Sequence, residues 1–208
     1  MSGPVNWLRA LFTPARLAGL VLAALIAGVD QWVKDYVTTT LGVNRIGASM
    51  ELLPFFDLTY TQNKGISLGM LEANSLEMRW LLVAMTACIA LVVLVWMMRE
   101  KLFGDIVGLA LILGGAIGNI IDRHTLGYVI DYADFHIEIF GAVRRPFLIF
   151  NVADAAITIG VVLILARALF LSEKSEEDDA NESGHKDGDK NGAEDVAKNG
   201  RAKAALEN

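Results

Sequence analysis

Apolar residues gather into four long runs separated by polar stretches, and the pattern stops near residue 171. The runs cover about Leu17 to Tyr36, Arg79 to Met98, Leu102 to Ile121 and Phe147 to Leu171. Each is long enough for a bilayer whose hydrocarbon core takes ~20 helical residues. Trp80 to Met98 contains no charge, and the third run is interrupted only by Asp105 near its start and Asn119 near its end. The first run imitates a signal peptide, because Arg9 and Arg16 precede Leu17 to Val29. A small-x-small cleavage site is missing, however, and apolar character resumes at Trp32 and Val33, so a membrane span is expected there too. Between the runs, Phe56 to Thr61 and Phe135 to Ile139 alternate apolar with polar, the period of half-buried strands. The pattern predicts an all-α membrane protein: four transmembrane helices, a small extracytoplasmic β-sheet and a disordered C-terminal tail.

Composition sharpens the division. From Ser172 onward the chain has 11 acids and 6 bases in 37 residues and little to bury, so residues 172–208 are expected to be a disordered acidic tail. The remaining chain is close to neutral, and the sequence pI of 5.1 reflects the tail. A basic nucleic-acid binder is excluded. Cys88, the single cysteine, excludes intramolecular disulfides and multi-cysteine metal sites, and its place mid-span predicts packing.

Four spans put both termini on one side. The very short connection Arg99-Glu100-Lys101 is positive, whereas the other two connections, 37–78 and 122–146, are long and mixed in sign. The positive-inside rule therefore predicts a cytoplasmic N-terminal segment, residues 1–16, a membrane domain over 17–171, and a cytoplasmic tail.

An ionised side chain costs ~2.5–3.5 kcal/mol at a helix centre on insertion scales, so intramembrane charges need a reason. Asp30 and Lys34, four apart on one helix with the acid first, predict a self-neutralising ion pair. Asp122, followed by Arg123 and preceded by Asn119, predicts a structural polar cluster. Gly114 and Gly118 form GxxxG, a helix-packing motif. Asp154 differs: it has no base within a turn, and Asn151 lies three residues before it. Such a carboxyl either shares a proton with a second carboxyl, the unit that activates water in aspartic proteases, or belongs to a proton relay in a transporter. Asp134-x-His136 lacks the ligand set of a metal site. Trp32, Trp80, Trp96 and Trp7 are read as interfacial anchors. A transporter needs polar groups in both halves of the bundle, whereas Asp30, Lys34, Asn119, Asp122, Asn151 and Asp154 all fall at the outer ends of their spans. That asymmetry favours a site fed from the outer leaflet, catalytic or lipid-binding.

Five segments occur in order: Asp30-Gln31-x-x-Lys34, Asn63-Lys64-Gly65-Ile66-Ser67-Leu68-Gly69, Gly114 to Arg123, Gly127-Tyr128-Val129-Ile130-Asp131, and Phe150-Asn151-Val152-Ala153-Asp154. Together they resemble lipoprotein signal peptidase, the signal peptidase II family of bacteria, over roughly residues 17–171. The resemblance implies a membrane-embedded aspartic endopeptidase of the inner membrane, with its active site near the outer face. It would cleave prolipoproteins just before a diacylglyceryl-modified cysteine. The implied catalytic pair is Asp131 and Asp154. Asn63, Gly65, Asn119, Arg123 and Asn151 would bind substrate or support the pair, while Asp30, Lys34 and Asp122 would be structural. Neither metal nor cofactor is implied, and the partners are the lipid-modified prolipoprotein and membrane lipid, with no nucleic acid. Gly65-Ile66-Ser67-Leu68 departs from the Gly-Ala-Ala-Phe common in the family, and the tail lies outside its pattern.

Overall fold

A computed structural model of the chain describes residues 12–65, 76–139 and 142–169. The acidic tail, Trp7 and the Ile66-Ser67-Leu68 segment lie outside them. The first helix, α1 (Pro14–Asp35), starts where Thr13 leaves the helical conformation; its hydroxyl accepts from the Arg16 amide, and Pro14 occupies the first turn. A five-residue π-helical turn, Tyr36–Thr40, extends it. The strands β1 (Ser49–Leu53) and β2 (Phe56–Asn63) follow, then α2 (Leu76–Arg99), α3 (Phe103–Thr125), β3 (Val129–Phe135), β4 (Ile137–Ile139) and β5 (Ala142–Arg144). The last helix, α4, spans Val152–Leu169. Contacts divide the chain between Ile164 and Leu165, and of the second unit only residues 165–169, the end of α4, are described.

Among the described residues, four helices are long and apolar enough to cross a membrane: Pro14–Thr40, Leu76–Arg99, Phe103–Thr125 and Val152–Leu169, with mean hydropathies of 1.5, 2.7, 1.8 and 2.1. They are not equivalent. The most apolar window of α3 is 56% buried against 17% for that of α2, so α3 is the central helix although α2 is the more apolar. In lipid an apolar face needs no protein cover, and the packed surfaces are made by small residues. On α1 the buried positions Gly19, Ala23, Ala27, Asp30 and Lys34 recur at helical spacing along one stripe. A Cβ on Gly114 would stand 2.6 Å from the Ala23 carbonyl oxygen, and one on Gly160 equally close to that of Gly108. Glycine at these places lets α1 and α4 approach α3 closely. Cys88, expected to be packed, is exposed on α2, whose outward surface is apolar.

The sheet has the order β1-β2-β3, antiparallel throughout, with Thr61 opposite Asp131 and Asn63 opposite Val129. Its residues Leu58, Tyr60, Ile130, Tyr132 and Ala133 form one buried cluster with Val37 and Val43, which follow α1. Hydropathy alone starts the last span at Phe147, whereas α4 starts at Val152. The reason is local: Phe150 is held extended by backbone bonds with Tyr132 and Ala133, and Asn151 then caps the helix, its side-chain oxygen accepting from the Asp154 amide at 2.8 Å. Asp154 therefore sits in the first turn instead of two turns into the helix. Phe135 to Ile139, read as one strand, is interrupted at His136 and divided between β3 and β4.

Candidate active site

Asp131 lies mid-way along β3, where six successive residues, Val129 to Asp134, are buried. Asp154 opens α4, half-buried. Both line one cavity of about 1110 Å³, together with Asn63, Gly65, Asn119 and Arg123. Three asparagines connect the two carboxylates. Asn63 donates to Asp131 Oδ2 at 3.2 Å and Asn151 to Asp131 Oδ1 at 2.7 Å. The same Asn151 amide reaches Asn119 Oδ1 at 3.3 Å, and Asn119 in turn donates to Asp154 Oδ1 at 2.8 Å. Amide side chains suit this position because each supplies donors without charge. The Gly65 amide donates to Asn63 Oδ1 at 3.2 Å, and Arg123 Nη2 to the Gly65 carbonyl at 3.3 Å, which ties the end of β2 to α3.

Burial holds the Asp131 carboxyl well above the usual carboxylate range, at about 7, and the negative charge of Asp154 pushes the same way. Bonds from Asn63 and Asn151 and the Lys34 charge oppose the rise without cancelling it. Near neutrality a substantial fraction of Asp131 thus retains a proton beside a second carboxyl, the protonation state that lets a pair act as acid and base together.

A second polar cluster lies next to the first. Lys34 Nζ is 2.7 Å from Asp30 Oδ2 and 2.8 Å from Asp122 Oδ2, with all three side chains almost fully buried. Gln31 donates to Asp122 Oδ1 at 2.7 Å. The remaining bonds of these acids reach into the elements that carry the cavity aspartates. Asp30 Oδ1 accepts from the Ala153 amide at 2.9 Å, and Asp122 Oδ2 from the Ile130 amide at 3.1 Å. Each is the residue immediately before a cavity aspartate. Gly118 makes room for the cluster, since a Cβ there would stand 2.6 Å from Asp30 Oδ2.

Every candidate residue thus lies in or beside one site, but two readings of partnership change. Asp122 makes its ion pair with Lys34 and none with its neighbour Arg123, because successive residues on a helix point in different directions. Arg123 instead faces Asp154, Asp131 and Asp122 electrostatically from within the cavity wall. Gln31, which sequence reasoning assigned no role, completes the Lys34 cluster; its position one residue after an intramembrane aspartate was the available signal. Trp32, Trp80 and Trp96 are exposed at helix ends, as interfacial anchors would be.

Comparison with known proteins turns this geometry into a lineage. A family profile described as signal peptidase (SPase) II matches residues 22–170. The chain belongs to the signal peptidase II family. It is therefore a protease by family, and with four apolar helices a multi-pass protein of the bacterial inner membrane. The lipoprotein signal peptidase of Sphingopyxis alaskensis is 52% identical over 165 residues, 79% of this chain and 92% of the relative. That of Rhizorhabdus wittichii is 48% identical, covering 76% and 89%, and that of Alteromonas mediterranea 34%, covering 83% and 92%. Among solved structures, a bacterial membrane enzyme determined in meso at 2.3 Å superposes with a TM-score of 0.61 at 31% identity, covering 73% of this chain and 87% of that one. The resemblance found in the five sequence segments and the family profile thus point to one family.

Proposed function

We propose that the protein is an aspartic endopeptidase that removes signal peptides from prolipoproteins, cutting just before the diacylglyceryl-modified cysteine. One observation carries the reading: two aspartates share a cavity and a chain of neutral amide donors, and among the described residues no cation forms an ion pair with either. Two nearby carboxyls cannot both ionise easily, so one keeps a proton. Asp131, with its raised pKa, is that member. Asp154 takes a proton from a water held between the two as the water attacks the scissile carbonyl, while the Asp131 proton polarises that carbonyl and then passes to the leaving amine. Neither metal nor nucleophilic side chain takes part in these steps.

The supporting residues have separable tasks. Asn63 and Asn151 fix the two oxygens of Asp131, Asn119 fixes one oxygen of Asp154, and Gly65 offers backbone close to the cavity. Arg123 limits the negative charge around the pair. Apolar walls suit a substrate already anchored in lipid: Met85 and Ile89 of α2, Ile157 of α4, Ile46 and Leu148 all line the cavity. With both termini cytoplasmic, as the short positive connection between α2 and α3 implies, this cavity opens near the outer face.

The test is mass spectrometry of a synthetic diacylglyceryl prolipoprotein incubated with the purified protein in bilayer nanodiscs. The expected products are the free signal peptide and a polypeptide beginning at the lipidated cysteine. An uncut lipidated substrate under conditions where the protein is folded would overturn the reading in favour of lipid binding without catalysis.

A further inference from the structure

Arg79 lies three residues into α2, outside the cavity lining and the five sequence segments. Its guanidinium nonetheless closes the end of α3. Nε donates to the Arg123 carbonyl at 2.8 Å and Nη2 to that of His124. Carbonyls in the last turn of a helix have no partner within it, and a cation there also matches the negative end of the helix dipole. The turn beyond is shaped around the same side chain. Gly127 adopts φ +90°, and a Cβ on it would stand 3.3 Å from Arg79 Nη1. Trp80 presents its ring to His124 at 5.7 Å, edge to face, and the Arg79 guanidinium lies 5.8 Å from that ring.

We propose that Arg79 is a positioning residue for the peptidase reaction: by holding the carbonyl of Arg123, it sets where the Arg123 guanidinium stands in the wall of the cavity that holds the two aspartates. The proposal rests on the peptidase reading of the cavity. Residue 123 carries both ends of the coupling, its carbonyl held by α2 and its side chain facing the acids. The segment from Gly127 to Asp131 leaves from the same corner, so the clamp also fixes the start of β3. Charged groups facing the Arg123 side chain are Asp154 of α4, Asp131 of β3 and Asp122 of α3 itself, while Lys34 of α1 acts on Asp131. If Arg123 recedes from the cavity, the carboxyl of Asp131 holds its proton more tightly.

The experiment compares Arg79→Gln and Arg79→Lys with the parent in nanodiscs, reading kcat, KM, the pH profile of kcat/KM and thermal stability. Arg79→Gln is expected to lower kcat about tenfold, the scale of a small misplacement near the reacting groups. The alkaline limb of its profile should move up by about half a pH unit as the cation's field weakens. Arg79→Lys keeps the charge and one donor, and should recover most of the rate with the parental profile. Gly127→Ala, strained at positive φ and pressed against Arg79, is a second route to the same displacement and should show the same upward shift. A loss of activity that only tracks loss of stability, with the profile unmoved in both variants, would overturn the proposal, as would Arg79→Gln with parental kcat. Failure of the parent itself to cut would instead sink the peptidase reading.

Discussion

Two pairs of aspartates stand side by side in this molecule, and the proposed function gives them opposite chemistry. Asp30 and Asp122 have Lys34 between them, bonded to both, so two negative charges meet one positive and their oxygens are occupied by the ammonium, Gln31 and two backbone amides. Asp131 and Asp154 have asparagines in the same role. Amides satisfy lone pairs without neutralising anything, so the second pair is left with an electrostatic conflict that a proton resolves. Residue type at the centre, cation or amide, decides whether a carboxylate pair is a strut or a reagent. The two are mechanically linked, since the strut holds the amides of Ala153 and Ile130, next to Asp154 and Asp131.

The sharpest way to separate the pairs is Asp131→Asn and Asp154→Asn. Asparagine is nearly isosteric but takes no proton, so each variant is expected to lose at least about 10³-fold in cleavage, within the range of acid–base contributions, and to keep its thermal stability in detergent. Substantial residual activity in either would break the assignment. Lys34→Met should do the reverse in kind, because removing one partner of a buried ion cluster leaves charge uncompensated, a cost of about 3–5 kcal/mol. Stability and activity should fall together, with Asp30→Ala and Asp122→Ala behaving likewise. If Lys34→Met is as stable as the parent, the strut reading fails.

A subtler effect is pH dependence. The raised pKa of Asp131, caused first by burial and then by Asp154, means that its proton is present below about pH 7 and lost above it. The kcat/KM profile is therefore expected to decline above about pH 7, a limb that Asn151→Ala, which removes a bond favouring the charged form, should move upward. Unfolding free energy has a contribution of the same sign. Ionising Asp131 is harder in the folded state than in the unfolded one, so raising pH through its folded value costs stability. The smallest effect should come from ending the chain near Glu173. The acidic tail has little to bury and is expected to be disordered, so turnover should stay within a few-fold of full length; a tenfold loss at unchanged stability would give the tail a function.

The helices were legible because lipid demands long apolar runs, and Asp154 stood out because nothing near it in sequence neutralises it. Its partner was not legible from pattern alone. Asp131 lies in a strand buried on both sides, Val129-Ile130-Asp131-Tyr132-Ala133-Asp134, where no alternation marks the element. Only resemblance to the family singled it out. The pairing of Asp122 with Lys34 escaped for a related reason: the partner is 88 residues away, whereas Arg123 is adjacent but points elsewhere. Arg79 carries no sequence signal at all, since an arginine at a span end reads first as an interfacial charge.

The bond from Asp30 to the Ala153 amide joins positions 123 residues apart. A ribosome delivers them in that order, so α1 enters the bilayer well before the segment that will carry Asp154 has been made. Through that interval the nascent chain lacks one of the two aspartates proposed to cut. Only when the last helix arrives can Asp30 take the Ala153 amide and the cavity hold both carboxyls. On the proposed peptidase reading the protein is its own safety catch: a protease in a membrane crowded with signal sequences is assembled unarmed, and its final insertion step is also its activation.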